Sequence, residues 1–251
     1  EVKQKHDLRT KVDTQLREAQ AVLARARVLN AEVEKLRKDS YTAFDVQKRD
    51  LGESKWVVAQ ERAVDLDELY AKSSQLLEST LLLDSSRDDI KTSLAEALFE
   101  RAIGAERDGN TSRLRDSLAR MKFYDIDKKR ESQWNAPSTI SLVSNPPGFD
   151  VTISKYNVVN KKCLLSDTHS VGVTPISKLE LPAASYLLVI TKAGYPEIRY
   201  PVLTHRSENI PIEVVVPNQD QIPAGYVYIP PGRFLFGSGL DEASHKGFLE
   251  T

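Results

Sequence analysis

The side chains that could carry chemistry in this chain are few, and Cys163 and His169 are the most suggestive pair. A thiolate and an imidazole six positions apart could bind a metal ion or form a cysteine–histidine nucleophile pair. Both residues fall in a stretch that the pattern predicts to be a polar loop, and this loop supplies no further ligand. We therefore expect structural or solvated roles for both, and surface positions for His6, His205 and His245.

Four other short motifs have a simpler interpretation than catalysis. Asp88 and Asp89 lie in the first turn of a predicted helix, where the helix dipole favours carboxylates. Lys128-Lys129-Arg130 is balanced by neighbouring acidic residues, which is typical of a solvated face. Gly237-Ser238-Gly239 imitates a phosphate-binding loop without the Lys-Ser/Thr that should follow, and Asn110-Thr111-Ser112 fits a glycosylation acceptor at a helix start. The sequence thus predicts no catalytic, cofactor-binding or metal-binding residue.

The composition excludes several classes of protein. The 251 residues carry 35 basic and 36 acidic side chains, so no overall charge favours nucleic acid or anionic lipid. A single cysteine excludes an internal disulfide framework. The longest aliphatic runs, Leu187–Ile190 and Val214–Val216, are far shorter than the roughly 18 residues of a membrane span. We expect no membrane span and no signal peptide in these residues.

The elements that must position these side chains divide into an α part and a β part. All 12 prolines lie at or after Pro137, whereas 52 charged side chains lie in residues 1–136 and only 19 in residues 137–251. A proline-free, charge-rich segment suits long solvated helices, because proline destabilises a helix interior by about 3 kcal/mol. The pattern therefore predicts an α+β multidomain chain, with a helical region at 1–136 and a β region at 138–217.

The helical region opens with one apolar stripe that predicts a helix from about residue 3 to residue 48. Two interpretations stay open, a dimerisation or spacer stalk and an ordinary antiparallel partner for the next helix. An acidic cap at Asp50–Glu53 predicts the start of a second helix, and Ser85 with Asp88 predicts the cap of a third. Gly109-Asn110 predicts the turn before a fourth helix, so we expect a bundle or helical hairpins.

After Pro137 the apolar pattern changes to period two, which predicts a small antiparallel β-sandwich of about seven strands. A polar loop is expected between Leu164-Leu165 and Val171–Val173. The other predicted strands are Thr139–Val143, Val151–Ser154, Ile176–Leu181, Ser185–Lys192, Ile198–Leu203 and Ile210–Val216. Pro201, Pro211 and Pro217 favour strand starts or sheet edges.

Four motifs in this β region resemble a PEGA domain. In order they are Pro146–Val151, Gly172–Ile176, Leu181–Tyr186 and Lys192–Tyr195. The chain has Ala183-Ala184 where that family usually has a glycine turn, and it lacks the string that gives the family its name. The resemblance implies a β-sandwich adhesion or spacer module, often extracytoplasmic, with no catalytic residue.

A second resemblance begins after a linker at 218–225. Gly225–Ser238, followed by Asp241-Glu242-Ala243, looks like the opening of a formylglycine-generating-enzyme/sulfatase-modifying domain. Phe236 replaces the usual methionine. Residues 226–251 would be only the N-terminal fragment of such a domain, so we expect this chain to be part of a longer protein.

The order of these regions resembles the part that follows the kinase domain in myxobacterial-type serine/threonine protein kinases. We therefore expect a non-enzymatic interaction and spacer region of a bacterial signalling protein, without a cofactor, that contacts protein partners and could self-associate through its long helix or its C-terminal tail. The resemblance favours an extracytoplasmic location, and a cytoplasmic one stays open. Two alternatives stay open: an accessory part of a formylglycine-generating-type enzyme, and a protease-regulated partner or inhibitor in bacterial defence or stress.

Overall fold

The computed structural model describes residues 2–159 and 162–231, apart from the side chain of Val158, and two short strands near the C-terminus. The described residues form two compact units, a helical unit up to Glu131 and a β unit from Ser132. This architecture confirms the α+β fold class.

The helical unit is built from antiparallel neighbours. Its helices are α1 (Val2–Asp45), α2 (Arg49–Leu83), α3 (Asp88–Arg107) and α4 (Thr111–Tyr124), and a short α5 (Lys129–Trp134) follows them. Lys55 pairs with Asp39 and Arg62 pairs with Glu32, so α2 runs back along α1. The long α1 is thus the antiparallel partner of α2, the second of the two interpretations. Among the described residues, no helix is both long and apolar enough to span a bilayer.

The predicted apolar stripes form the core of this unit. On α1, the buried stripe runs from Val12 to Val33 at steps of three and four residues. On α3, the predicted residues Ile90, Leu94, Ala97 and Leu98 are all completely buried. These residues join one cluster with Leu66, Tyr70, Leu77 and Met121, so the packing of apolar faces holds the four long helices together.

The turn between α1 and α2 differs from the sequence prediction. α2 begins at Arg49, and no side chain caps it, so the cap predicted at Asp50–Glu53 is wrong. Gly52 instead lies inside the first turn against the ring of Phe44, and the Ser40 hydroxyl donates a 2.7 Å hydrogen bond to its carbonyl. Close packing between the helices therefore sets where α2 starts.

Of the other two predicted helix starts, one is wrong and one is confirmed. α3 has Arg87 at its cap position and no side-chain cap, so the cap predicted from Ser85 is wrong. α4 begins at Thr111 as predicted, because the Asn110 side chain accepts a hydrogen bond of 3.0 Å from the backbone N–H of Arg113.

The β unit contains two sheets. Its strands are β1 (Ser138–Asn145), β2 (Asp150–Val159), β3 (Lys162–Val173), β4 (Ile176–Leu181), β5 (Ser185–Thr191), β6 (Ile198–Leu203) and β7 (Asn209–Val215). One sheet has the order β4-β1-β7 and the other the order β3-β2-β5-β6. Neighbours pair antiparallel except β1 and β7, which pair parallel from Thr139–Asn209 to Asn145–Val215.

Both sheets contribute to one apolar core, as expected of the predicted sandwich. Ile140 and Val214 from the first sheet join Val151, Leu188 and Ile190 from the second. Each of these five residues is completely buried. Alternation along each strand therefore points one face of each sheet into the shared core.

Two predictions in the β unit are wrong. β3 continues without a break from Lys162 to Val173, where a polar loop was predicted. The strand is at the edge of its sheet and most of its residues are exposed, so it shows no alternation. The stretch Tyr226–Ile229, predicted as a strand, has no regular secondary structure. A 3-10 helix, Gln219–Gln221, precedes it.

The C-terminal predictions lie largely outside the described residues. The strands β8 (Leu235–Phe236) and β9 (Leu249–Glu250) pair antiparallel with each other. Gly237-Ser238-Gly239, Asp241-Glu242-Ala243 and His245 fall among the residues that the structure does not describe.

Candidate interaction surfaces

The structure does not bring Cys163 and His169 together. Both lie on β3, where Cys163 is opposite Val158 and His169 is opposite Ile153, so they are about 20 Å apart at the strand rise of about 3.3 Å per residue. Cys163 is exposed, and the His169 Nδ1 lies 2.7 Å from the carbonyl of Asp167. Within residues 2–159 and 162–231, no three side chains of the metal-ligating types are close enough to hold a metal ion.

The paired carboxylates Asp88 and Asp89 contact cations. Asp89 accepts two hydrogen bonds from Arg87, at 2.9 and 2.8 Å, and Asp88 accepts one from Lys91 at 2.9 Å. The hydrogen bond from Arg87 is the main reason that the pKa of Asp89 is lower than usual. Both carboxylates therefore act as charge partners in the first turn of α3.

The basic cluster Lys128-Lys129-Arg130 lies where α5 begins, and its members have different surroundings. Lys128 pairs with Glu131, whereas Arg130 pairs with Glu96 of α3 and lies over the ring of Phe99. Arg130 is therefore a structural contact of the helical unit, and only part of the cluster forms the solvated face that was predicted.

Ion pairs connect the long helices in the helical unit. Arg27 of α1 donates to both carboxylate oxygens of Glu100 on α3, to Oε1 at 2.7 and 3.0 Å and to Oε2 at 3.2 Å. Tyr70 of α2 donates to the same Oε2 at 3.2 Å. Burial and the Glu100 carboxylate raise the pKa of Tyr70. A second cluster joins Asp67 of α2 to Arg101 of α3 at 2.7 Å and to Arg113 of α4. These charged side chains thus connect the helices to one another.

Three of the four motifs that resemble a PEGA domain meet at one end of the sandwich. The Thr174 hydroxyl accepts a 3.0 Å hydrogen bond from the backbone N–H of Phe149 and also contacts the hydroxyl of Ser144. The backbone N–H of Thr174 donates back to the carbonyl of Phe149 at 2.9 Å. The Pro146–Val151 and Gly172–Ile176 motifs therefore interlock through buried polar groups.

Lys192 adds the fourth motif to the same end. Its Nζ donates a 2.7 Å hydrogen bond to the carbonyl of Pro147 and lies 5.4 and 5.6 Å from the ring centres of Phe149 and Tyr195. The two rings meet edge to face at 5.2 Å. Gly148 and Gly194 have positive φ angles of 86° and 84°, a conformation that glycine adopts without strain. These residues are structural supports of the sandwich end.

The remaining motif closes a turn between β4 and β5. The Tyr186 hydroxyl donates a 2.9 Å hydrogen bond to the carbonyl of Pro182, and the Ala184 N–H donates to the Thr204 hydroxyl at 3.0 Å. These contacts stabilise the turn at Ala183-Ala184, where the resembled family usually has glycine.

An open groove of about 480 Å³ lies at the end of the β unit that holds Pro146 and Tyr195. Tyr195, Tyr228 and Pro146 line it, together with residues that follow β7. The Tyr228 hydroxyl donates a 2.7 Å hydrogen bond to the carbonyl of Val215, which fixes that ring. Its neighbours Tyr226 and Val227 are exposed.

The helical unit has a larger groove of about 840 Å³ between the C-terminal ends of α2 and α4, which we call the α2/α4 groove. Leu82, Phe123 and Ile126 line it and are 89%, 81% and 54% exposed. Sequence reasoning missed this surface, because these residues lie outside the apolar stripes and are separated along the chain. Large apolar side chains off the stripe near two helix ends were the available signal.

The sequence matches no known protein-family model and shows no significant similarity to a curated protein.

Proposed function

We propose that this chain is a non-enzymatic interaction and spacer region of a multidomain bacterial signalling protein. In the complete protein it would position a serine/threonine kinase domain and a sulfatase-modifying-like domain, or act as a sensor module for these two domains. The proposal joins the resemblance of the motifs to the roles that their residues have in the structure.

The observation that carries the proposal is the interlocked end of the sandwich. Thr174, Phe149 and Lys192 make hydrogen bonds and ring contacts to one another or to neighbouring backbone. The motif residues thus build a framework, which is what a spacer module requires. A framework of this kind supports function through the surfaces that it displays.

The helical unit supports the same proposal. Its charged side chains pair across helices, as Arg27 does with Glu100 and Asp67 with Arg101. The Asp67–Arg101 pair is largely buried, and removing one partner of such a pair leaves a charge uncompensated. The exposed α2/α4 groove is then a surface at which a rigid unit could contact a protein partner.

The test uses the complete protein encoded by the reading frame that contains this chain. We expect kinase motifs before the helical unit and a sulfatase-modifying-like domain after the β unit. Autophosphorylation should be unchanged by Cys163→Ser and His169→Ala, and it should change when residues 132–232 are replaced by a flexible linker of equal length.

A reading frame without a kinase domain would contradict the signalling proposal. Metal-binding cysteine pairs in the downstream domain, with peptide-oxidation activity that needs this chain, would favour the accessory part of a formylglycine-generating-type enzyme. If the protein has a catalytic activity that Cys163→Ser or His169→Ala abolishes, the non-enzymatic assignment is contradicted.

A further inference from the structure

The α2/α4 groove combines exposure with concavity. Leu82, Phe123 and Ile126 are mostly exposed, and Leu81 and Tyr124 lie half-buried beside them. Phe123 packs edge to face on Tyr124 with ring centres 4.9 Å apart, so it presents a supported apolar side chain. Large apolar residues that share a concave surface mark an interaction site far better than single exposed ones do.

Among the charged side chains that line this groove, three lysines face two carboxylates. Lys122 and Lys128 stand at its rim with side chains 52% and 62% exposed, and both share the single carboxylate of Glu131, each at 3.4 Å. The two carboxylates that line the groove are already engaged. Glu78 accepts from Arg120 at 2.8 Å, and buried Asp125 accepts from the backbone N–H of Glu131 at 2.8 Å.

We propose that the α2/α4 groove binds an amphipathic acidic helix of a partner protein, with the apolar face of that helix on Phe123 and Leu82. This inference rests on the proposed interaction function and names the chemistry of its partner. A helix presents a convex apolar stripe with side chains at i, i+3, i+4 and i+7, which suits a concave groove. Its carboxylates would pair with Lys122 and Lys128.

Two other occupants fit the observations less well. A second copy of this chain would bring the same lysines of both grooves together around a two-fold axis, which like charges oppose. An anionic membrane would suit lysines beside apolar residues, but membrane binding uses a protruding apolar face, whereas this surface is concave.

The experiment measures binding of two designed helical peptides by isothermal titration calorimetry. Each peptide has about 18 residues with leucine at i, i+3, i+4 and i+7, and the polar positions are glutamate in one and lysine in the other. The full chain is compared with Phe123→Ser, with the double variant Lys122→Glu/Lys128→Glu, and with Val28→Ser. Val28 is an apolar residue of α1 that is 73% exposed, so it controls for removal of a surface apolar side chain.

We expect the acidic peptide to bind, and Phe123→Ser to weaken it by about tenfold or more, as for an apolar anchor at an interface. Val28→Ser should bind within about twofold of the parent chain, because surface substitutions away from a contact have small effects. The double charge reversal should weaken the acidic peptide and strengthen the basic one. Raising NaCl from about 0.05 to about 0.5 M should weaken the acidic peptide. An unchanged melting temperature verifies that each variant is folded.

Three results would overturn this inference. The first is equal affinity for both peptides, or an acidic peptide that is insensitive to Phe123→Ser. The second is a dimer of the parent chain in sedimentation that Phe123→Ser dissolves, which would assign the groove to a second copy. The third is Phe123-dependent binding to phosphatidylglycerol vesicles without peptide binding. None of these results affects the reading-frame and autophosphorylation test, so the two proposals fail separately.

Discussion

Gly52 on α2 lies against the aromatic ring of Phe44 on α1, with no space between them for a Cβ atom. The Ser40 hydroxyl bonds the carbonyl of the same glycine at 2.7 Å. This contact brings the two longest helices together directly beside their connecting turn, and it makes a side chain at position 52 a steric problem.

We expect Gly52→Ala to lower the free energy of unfolding by about 1–3 kcal/mol, the range for overpacking. Gly104→Ala on α3 is the matched control, because its new Cβ would meet only the end of Arg107 at 3.8 Å. It should stabilise the chain by about 0.5–1 kcal/mol through helix propensity. Urea unfolding followed by circular dichroism measures both. Two results would show that the contact does not restrict position 52. Either Gly52→Ala causes no loss of stability, or adding Phe44→Leu to Gly52→Ala does not reduce the loss.

Asp67 is the centre of an ion-pair cluster that joins three helices, and its side chain is only 18% exposed. We expect Asp67→Asn to destabilise the chain by about 1–3 kcal/mol, because Arg101 and Arg113 would lose their charged partner. Asp65→Asn is the control on the same helix. Its carboxylate is 57% exposed beside Arg62 at 3.6 Å, so the loss should be below about 0.5 kcal/mol. Equal losses in thermal unfolding would contradict a special role for Asp67.

The hydroxyl of Thr174 bonds the backbone N–H of Phe149 and contacts Ser144 at the interlocked sandwich end. Thr174→Val keeps the shape but leaves the buried N–H of Phe149 without its acceptor, which should cost about 1–3 kcal/mol. Thr174→Ser retains the hydroxyl and should recover most of this loss. Guanidinium unfolding of the two variants makes the comparison. A serine variant as unstable as the valine variant would assign the effect to packing of the methyl group.

The pair Arg87–Asp89 predicts a dependence on pH. Since Arg87 lowers the pKa of Asp89 in the folded chain, the stabilisation is complete above the unfolded pKa of about 3.9. It is lost as the pH falls through the lower folded value. A double-mutant cycle with Arg87→Gln and Asp89→Asn should give a coupling energy of about 0.3–1 kcal/mol at neutral pH, the size for exposed pairs. The coupling should shrink as the pH is lowered below the unfolded pKa, and a coupling that does not depend on pH would contradict the assignment.

The two units should fold separately. Residues 1–131 should give a helical circular dichroism spectrum and residues 132–232 a β spectrum, because each unit has its own apolar cluster. Each fragment should unfold cooperatively with heat. If either fragment is unfolded alone while the full chain is folded, the two clusters are not sufficient for independent stability.

The parts of the fold that sequence reasoning predicted are those with a buried face. β4 and β6 have the predicted bounds, Ile176–Leu181 and Ile198–Leu203. The apolar stripe of α3 is likewise buried as predicted. In each case the spacing of apolar residues along the sequence indicates which face of the helix or strand packs against a neighbouring element.

The parts that were missed depend on tertiary contacts, which produce no regular spacing of apolar residues in the sequence. β3 has no buried face, because it is a sheet edge whose pairing with β2 alone defines it. The start of α2 depends on contacts of Gly52 with residues on α1. The α2/α4 groove depends on the C-terminal ends of two helices coming together, and neither Leu82 nor Phe123 signals this in its own segment.

The parallel pairing of β1 with β7 has a mechanical consequence. The sandwich begins at Ser138, the first residue of β1, and its last strand, β7, ends at Val215. Because these strands run side by side in the same direction, tension applied to the two ends would pull them past each other lengthwise. The hydrogen bonds from Thr139–Asn209 to Asn145–Val215 would then bear the load together instead of opening one after another. A module threaded in this way would resist stretching, because the two strands have to shear past each other before they separate.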